Sequence, residues 1–255
     1  MNAYQRPIVF LACAIAASVS SAATVEITFD SNIFNGSGYD NVFIDLAATG
    51  TKSAVKENVL AGRFQGTATK LDGISPSIFV DGVDDLFLYC YDIYQSIWQG
   101  QKNVPYTIHL GGETTRTLDF LGAVNTVMNG KNTGKNYDPY AWLHPKNGFQ
   151  GAAIQIGIWE SLYETDSAWD LGAGSFRADG LKGETTTWWN SFKGAIPGSD
   201  SLNGKYVMVM ENGSYQDMIV GDPPAVVPEP GSLALLGLGL TGLAFARRKK
   251  VKQAS

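Results

Sequence analysis

The sequence predicts an α+β fold: an antiparallel, β-sandwich-like sheet with an inserted helical lobe. Short runs that alternate apolar and polar residues, or are rich in β-branched and aromatic residues, predict strands toward both ends of the chain. Apolar residues spaced three and four apart predict helices between about residues 115 and 195. Asn212–Gly213, between two alternating runs, is a strong β-hairpin signal.

The elements follow in chain order. Strands are expected at residues 25–29, 42–46, 63–65 and 86–94, with a loop at 31–39. One helix is indicated by Leu118, Leu121, Val124 and Met128, and a second by Ile154, Ile158, Trp159 and Leu162. A third helix is expected at residues 185–195, and the hairpin arms at 206–210 and 215–220.

Both ends of the chain have the composition of targeting segments. Residues 1–23 combine Arg6, an apolar run and small residues at a plausible cleavage point, as in a secretory signal peptide. Residues 24–221 would then be the exported ectodomain. Residues 222–231 form a Pro-rich linker containing Pro228, Glu229 and Pro230, which favour an extended backbone.

The remaining C-terminal residues predict a short membrane anchor. Residues 232–246 carry no charge and would form about 24 Å of helix, slightly less than the roughly 30 Å hydrocarbon core of a bilayer. Residues 247–255 begin with the basic cluster Arg247, Arg248, Lys249 and Lys250. Such a cluster stays on the cytoplasmic side, so the preceding domain should lie outside.

The charge balance and the cysteine content restrict the range of possible functions. Six of the 19 basic residues and one of the 24 acidic residues lie in the two targeting segments, which leaves 13 basic and 23 acidic residues in the domain. This balance argues against a nucleic-acid partner. Cys13 lies in the signal peptide, so the exported domain keeps only Cys90. An internal disulfide is impossible, and a lone thiol in an oxidising compartment requires an explanation.

Cys90 and Gln155 stand out as polar or reactive groups in apolar surroundings. Cys90 lies in the predicted strand at 86–94, and Gln155 shares a helix face with Trp159 and Leu162. An unpaired buried amide would cost about 1–3 kcal/mol, so Gln155 should have a partner. The simplest alternative is packing alone, with Cys90 buried as a small apolar residue and Gln155 capping a backbone group.

Other candidate sites have weaker support. The acidic stretch at residues 81–85 lacks the spacing of an EF-hand, so we expect a solvated turn and no metal site. A hydrolase that uses Cys90 with His109 or His144 lacks a recognisable local motif. A sugar-binding platform is the remaining alternative, and its candidates are Trp98, Trp142, Trp169, Trp188 and Trp189.

The C-terminal arrangement resembles a known sorting signal. Pro228, Glu229 and Pro230, followed by a short apolar helix and a basic cluster, resemble the PEP-CTERM signal read by exosortase-type membrane enzymes of Gram-negative bacteria. The resemblance implies export across the inner membrane and removal of the tail at or near the motif. It also implies a destination at the cell surface or in the extracellular matrix.

Two internal motifs resemble bacterial surface thioester domains. Residues 88–92 (Leu-Tyr-Cys-Tyr-Asp) resemble their aromatic-Cys motif, and residues 154–160 resemble their Gln motif ending in Trp. The resemblance implies a mixed β and helical fold and a bond between the Cys90 and Gln155 side chains, formed with loss of ammonia, near Tyr89 and Trp159. It implies covalent attachment to an unknown surface protein or polysaccharide, without cofactor, metal or enzymatic turnover. The alternative is a non-covalent matrix protein with the same tail.

Overall fold

The computed structural model describes residues 23–34, 36 and 38–222. Its strands are β1 (Thr24–Phe29), β2 (Asp40–Leu46), β3 (Val55–Ala61), β4 (Phe64–Asp72), β5 (Leu86–Cys90), β6 (Val104–Leu110), β7 (Phe176–Asp179), β8 (Val207–Glu211) and β9 (Met218–Gly221). Its α-helices are α1 (Thr115–Asn129), α2 (Gly148–Tyr163) and α3 (Gly183–Ala195). The fold is therefore a mixture of helices and antiparallel strands, as predicted.

Six strands close into an antiparallel barrel in the order β1, β4, β5, β9, β8, β6. β1 pairs with β4 on one side and with β6 on the other, so this sheet has no free edge. The structure thus corrects the expected β-sandwich-like sheet. A register shift between Glu26 and Ile27 marks a bulge in β1, and bulges bend strands where sheets curve. Closure could not be predicted from local patterns because it depends on pairing between distant strands.

A second, three-stranded sheet has the order β3, β2, β7. β2 is its central strand, and β7 comes from the helical region, so this sheet ties that region to the N-terminal strands. The sequence predicted β2 but missed β3, in which Lys56, Glu57 and Asn58 are exposed and interrupt the apolar alternation. β4 was placed correctly at its start but runs well beyond the predicted residues 63–65.

The three helices lie within the predicted lobe. The N-terminus of α1 is capped by the Thr114 side chain, which accepts a hydrogen bond from the Thr117 N–H, and α3 begins two residues before its predicted start. Helix α2 is different from the other two, because 12 of its 16 residues are buried. A helix that is buried on nearly every side lies in the interior, so α2 is the central helix of the lobe.

The hairpin between β8 and β9 is present, but its connection is longer than expected. The side-chain oxygen of Asn212 accepts hydrogen bonds from the N–H groups of Ser214 (2.7 Å) and Tyr215 (3.0 Å). The Asn212 N–H donates to Asp217 Oδ1 at 2.7 Å. Asn212 therefore acts through an Asx turn. The predicted hairpin is present, but its connection covers residues 212–217, whereas the predicted arms left residues 211–214 between them.

The predicted targeting segments lie outside the described residues, apart from Ala23 at the end of the signal peptide. These are residues 1–22 and the sorting motif, apolar segment and basic cluster after residue 222. At the end of the described chain, the Asp222 carbonyl accepts a hydrogen bond from the Tyr140 hydroxyl at 2.9 Å. Within the described residues, no helix has both the length and the apolar character needed to span a membrane.

Helices α1 and α2 approach closely at Gly157. A Cβ atom added there would lie 1.9 Å from Cζ of Phe120, which is fully buried. The Phe120 ring stacks on Trp169 and contacts Phe192 edge-on, with centroid distances of 5.6 and 6.3 Å. Because these rings restrict its movement, Phe120 cannot easily make room for a side chain at position 157.

We expect Gly157→Ala to lower the free energy of unfolding by about 1–3 kcal/mol, because the added methyl group overpacks the α1–α2 contact. Urea denaturation followed by circular dichroism would measure the change. Gly194→Ala is the matched control, since Gly194 lies in α3 with open space around it. That variant should be neutral or stabilising by up to about 1 kcal/mol. Equal effects of the two substitutions would contradict the proposed packing constraint.

Candidate functional site at the barrel–helix junction

The structure brings Cys90 and Gln155 together. Cys90 is the last residue of β5, and Gln155 lies in the middle of α2. Gln155 Oε1 accepts a hydrogen bond from the Cys90 N–H at 2.8 Å, and Gln155 Nε2 donates to the Cys90 carbonyl oxygen at 2.8 Å. Both residues are buried, with exposed fractions of 2 % and 0 %. The two residues singled out in the sequence are therefore direct neighbours in the fold.

The position of Gln155 follows from the end of a strand ladder. β4 begins at Phe64, which lies opposite Leu88, so no residue of β4 lies opposite Cys90. On its other side, Cys90 pairs with Met218 of β9. The Gln155 amide, with one donor and one acceptor, supplies the contacts that a further β4 residue would make. Leaving the Cys90 N–H and carbonyl unpaired in the interior would cost about 1–3 kcal/mol for each group.

The Cys90 thiol is free and protonated. It is buried and forms no disulfide within the described chain. Burial raises the pKa of Cys90 well above its usual value, and the negative charge of Asp92 raises it further. The thiol therefore behaves at neutral pH as a small buried group, and its sulfur is held in the same junction as the Gln155 carboxamide.

Tyr89 and Trp159 lie on different sides of this junction. The Tyr89 ring stacks on Trp142 at 5.9 Å, and its hydroxyl donates a hydrogen bond to the Trp142 carbonyl oxygen at 3.2 Å. Tyr89 thereby joins β5 to the segment that precedes α2. Trp159 lies one turn after Gln155 and, although only 2 % exposed, lines a cleft shared with Cys90. The structure thus places both expected supporting residues next to the pair.

This cleft, here called the Cys90 cleft, has a volume of about 620 Å³. Residues 57–60 of β3 line one wall, residues 95–99 line the other, and Cys90 and Trp159 contribute from the interior. Cys90 is the member of the pair that lines it, and Gln155 does not. The sequence did not indicate the cleft, because β3 was not recognised as a strand and residues 95–99 carry no motif.

The wall at residues 95–99 is held by a turn that begins at Asp92. Asp92 Oδ1 accepts hydrogen bonds from the N–H groups of Tyr94 (2.5 Å) and Gln95 (3.2 Å). The Ile93 N–H donates to the Tyr163 hydroxyl at the end of α2 (3.1 Å). Asp92 is the last residue of the aromatic-Cys motif at residues 88–92. An aspartate at the end of a strand favours an Asx turn, and this was the signal that could have identified the loop from the sequence.

The two histidines do not belong to the Cys90 cleft. His144 Nε2 lies 2.8 Å from Asp81 Oδ1, and His109 Nε2 lies 3.3 Å from Glu211 Oε2. Neither ring lines the cleft. The arrangement needed for a hydrolase that uses Cys90 with either histidine is therefore not present in the described chain.

The tryptophans do not form a shared surface platform. Trp142 and Trp189 are buried at 0 % and 3 % exposure, whereas Trp98 is 70 % exposed at the mouth of the Cys90 cleft. Trp169 contacts Trp189 and Phe120 within the lobe. Trp169 and Trp188 are half-buried against the core, and Trp98 alone of the five is largely exposed to solvent.

The acidic stretch at residues 81–85 forms a turn whose side chains have protein partners. Asp81 contacts His144, and Asp85 accepts a hydrogen bond from Gln65 Nε2 at 3.0 Å. Within the described residues, no group of three or more His, Cys, Asp or Glu side chains is arranged to hold a metal ion.

Glu160, which follows Trp159, is a buried acid with incomplete partners. Its Oε1 accepts a hydrogen bond from the Asp170 N–H at 3.0 Å and lies 3.8 Å from Arg116 Nη2. Within the described part of the chain, its buried Oε2 atom has no hydrogen-bond partner. Burial is the main cause that raises the pKa of Glu160 to about 7. The folded state therefore favours the neutral carboxyl.

This shift predicts a pH-dependent contribution to stability. Between the usual pKa of 4.5 and about 7 the folded protein binds more protons at Glu160 than the unfolded chain does, so this contribution is lost as pH rises. We expect the stability of the wild type relative to Glu160→Gln to fall by roughly 2 kcal/mol across that range. Urea denaturation at a series of pH values would measure it.

Glu164 provides a control of opposite sign. Burial alone would raise the pKa of Glu164, but hydrogen bonds from backbone N–H groups, including those of Asp166 and Phe176, outweigh it and lower that pKa. The ionised Glu164 carboxylate therefore contributes stability at neutral pH. This contribution, measured as the difference in free energy of unfolding between the wild type and Glu164→Gln, should be lost as pH falls through the lowered pKa. If both variants showed the same pH trend, the environment assigned to Glu160 would be wrong.

Comparison with known proteins identifies the C-terminal segment. The profile of the PEP-CTERM protein-sorting motif matches residues 226–250. The match contains Pro228, Glu229 and Pro230, the apolar segment and the four basic residues that follow it. No curated protein and no solved structure matches the chain. The chain therefore carries a PEP-CTERM sorting signal, which indicates an exported protein that exosortase processes at the membrane.

Proposed function

We propose that this exported, exosortase-sorted chain acts at the cell surface or in the extracellular matrix by binding a partner covalently through a Cys90–Gln155 thioester. The observation that carries the proposal is the placement of the Gln155 carboxamide directly on Cys90, with both hydrogen bonds at 2.8 Å. The resemblance of the two motifs to surface thioester domains supports it. The protein would react once with its partner and would not turn over.

Formation of the bond is a balanced exchange within the chain. The Cys90 sulfur attacks the side-chain carbonyl carbon of Gln155, the C–S bond forms, and the C–N bond of the amide breaks. The amide nitrogen leaves as ammonia and takes up the thiol proton. No oxidant, metal or cofactor is required. Because Gln155 is completely buried, the product would be shielded from water.

Reaction with a partner reverses the role of the sulfur. A partner amine or hydroxyl attacks the Gln155 carbonyl carbon, the C–S bond breaks, and Cys90 is released as a thiol after taking up the proton of the nucleophile. The product is an amide or ester bond between Gln155 and the partner. The Cys90 cleft supports this step, since Cys90, whose backbone holds the Gln155 carboxamide, lines it.

A non-covalent matrix protein is the second candidate, and the same geometry favours it in one respect. The Gln155 amide already satisfies both backbone groups of Cys90, which is a sufficient structural reason for a buried glutamine at this position. On that reading Cys90 is a buried apolar residue, the thiol stays free, and attachment to the matrix depends on surface contacts alone.

Peptide mapping distinguishes the two candidates. We expect an acidic digest of the purified chain to contain one cross-linked species that joins the Cys90 and Gln155 peptides and lacks the mass of one ammonia. Methylamine treatment before digestion should separate the peptides and add methylamine to Gln155. Mapping at the peptide level makes the result independent of the exact cleavage sites in the signal peptide and the tail.

Substitutions supply the controls for this experiment. Cys90→Ala and Gln155→Ala should each abolish the cross-linked species. Gln150→Ala should retain it, because Gln150 is an equally buried glutamine of α2 whose amide contacts Lys146 instead. Recovery of two separate, full-mass peptides and a titratable Cys90 thiol from freshly exported wild-type protein would refute the thioester and favour the non-covalent candidate.

The sorting signal has its own test. We expect Glu229→Ala to prevent removal of the C-terminal tail, so that the chain accumulates unprocessed in the inner membrane of a Gram-negative host that encodes an exosortase. Membrane fractionation with detection of tags before and after residues 228–230 would measure this. Glu211→Ala, at an exposed position in β8, is the matched control and should be processed normally.

A further inference from the structure

The walls of the Cys90 cleft include two stretches of consecutive residues. Residues 57–60 of β3 all line it, and so do residues 95–99 on the other side. Successive side chains of a strand point to opposite faces of a sheet. Four consecutive strand residues can line one cleft only if the edge of the strand, with its backbone groups, faces that cleft.

This edge of β3 has no strand partner. In the described chain, β3 pairs with β2 on one side and is the terminal strand of its sheet on the other. Its backbone N–H and carbonyl groups on that side can pair with an added strand, which is a common mode of peptide recognition. The barrel offers no such edge, because it is closed.

The chemistry of the cleft indicates which segment would fit. Leu60 and Trp98 are large apolar side chains at 40 % and 70 % exposure, and both line the cleft. Of the described residues in its lining, Glu57 alone carries a charge. The exported domain as a whole has 23 acidic and 13 basic residues. A segment with apolar and basic side chains matches both the exposed apolar surface and the negative charge.

We infer that the Cys90 cleft is a docking site for an extended polypeptide segment of alternating apolar and basic residues, which adds as a strand to the free edge of β3. The segment lies between β3 and residues 95–99, and its apolar side chains contact Leu60 and Trp98. This inference deepens the proposed function, on which it rests for the covalent step, by identifying the partner as a polypeptide and its binding mode as strand addition.

The docking step can be tested without the covalent step. The probe is a synthetic peptide, Lys-Val-Lys-Val-Lys-Val with blocked termini, added to the Cys90→Ala chain, which cannot form a thioester. We expect saturable binding by calorimetry and slower backbone hydrogen exchange at residues 57–60 of β3. A probe of the same sequence, N-methylated at alternate residues on its pairing edge, should bind at least about tenfold more weakly, because it cannot donate those hydrogen bonds.

Side-chain variants test the chemical match. Trp98→Ala should weaken binding about tenfold, since it removes the largest exposed apolar surface of the cleft. Leu110→Ala is the matched control, because Leu110 is 68 % exposed in β6 but does not line the cleft. Glu57→Gln should weaken binding a few-fold and reduce its dependence on salt, since the rim charge would be absent.

Equal binding of the normal and N-methylated probes, or protection from exchange outside β3, would overturn the inference. Binding of dextran that perturbs Trp98, in place of the peptide, would also overturn it and assign the cleft to a polysaccharide. If the peptide binds but wild-type protein yields no ammonia-deficient species, docking stands and the thioester fails. If that species is found and the peptide does not bind, the thioester stands and docking fails.

Discussion

The pairing between the Gln155 carboxamide and the backbone of Cys90 is the contact on which the rest of this structure depends. It joins the central helix of the lobe to the barrel at the position where the β4–β5 ladder ends. The N–H and the carbonyl group of Cys90 are buried and require partners. Helix α2 therefore needs a side chain with both a donor and an acceptor at position 155, oriented toward Cys90. The same contact places the Gln155 carboxamide against the backbone of Cys90, the residue whose thiol takes part in the proposed mechanism.

The cleft and the junction form a continuous unit. Asp92 shapes the turn after Cys90, Tyr163 anchors that turn to the end of α2, and the exposed edge of β3 closes the opposite wall. None of these residues reacts in the proposed mechanism. Their contacts fix the walls of the cleft, in whose lining the buried Cys90 lies.

Local patterns in the sequence were sufficient for the three helices, for β1 and β2, and for the start of β5, which ends at Cys90 and not at the predicted residue 94. They singled out Cys90 and Gln155, but only the resemblance to thioester domains implied that the two residues meet. Helix α2 was found from the spacing of Ile154, Ile158 and Leu162, although it is buried on nearly every side. The barrel was not predictable, because closure depends on β1 pairing with both β4 and β6. β3 was missed because its exposed polar residues show no apolar alternation, and the cleft was missed with it. The Asn212 turn was misjudged because the asparagine side chain, through an Asx turn, stabilises a longer loop.

The place of β9 in the barrel has a consequence for export. β9 is the last strand of the described residues, yet it lies between β5 and β8 and is needed to complete the ring. The match to the sorting motif begins at residue 226, shortly after the end of this strand at Gly221. The ring therefore cannot close until the segment next to the sorting signal has emerged from the translocation machinery. Closure of the barrel and exposure of the sorting signal therefore depend on neighbouring stretches of the chain.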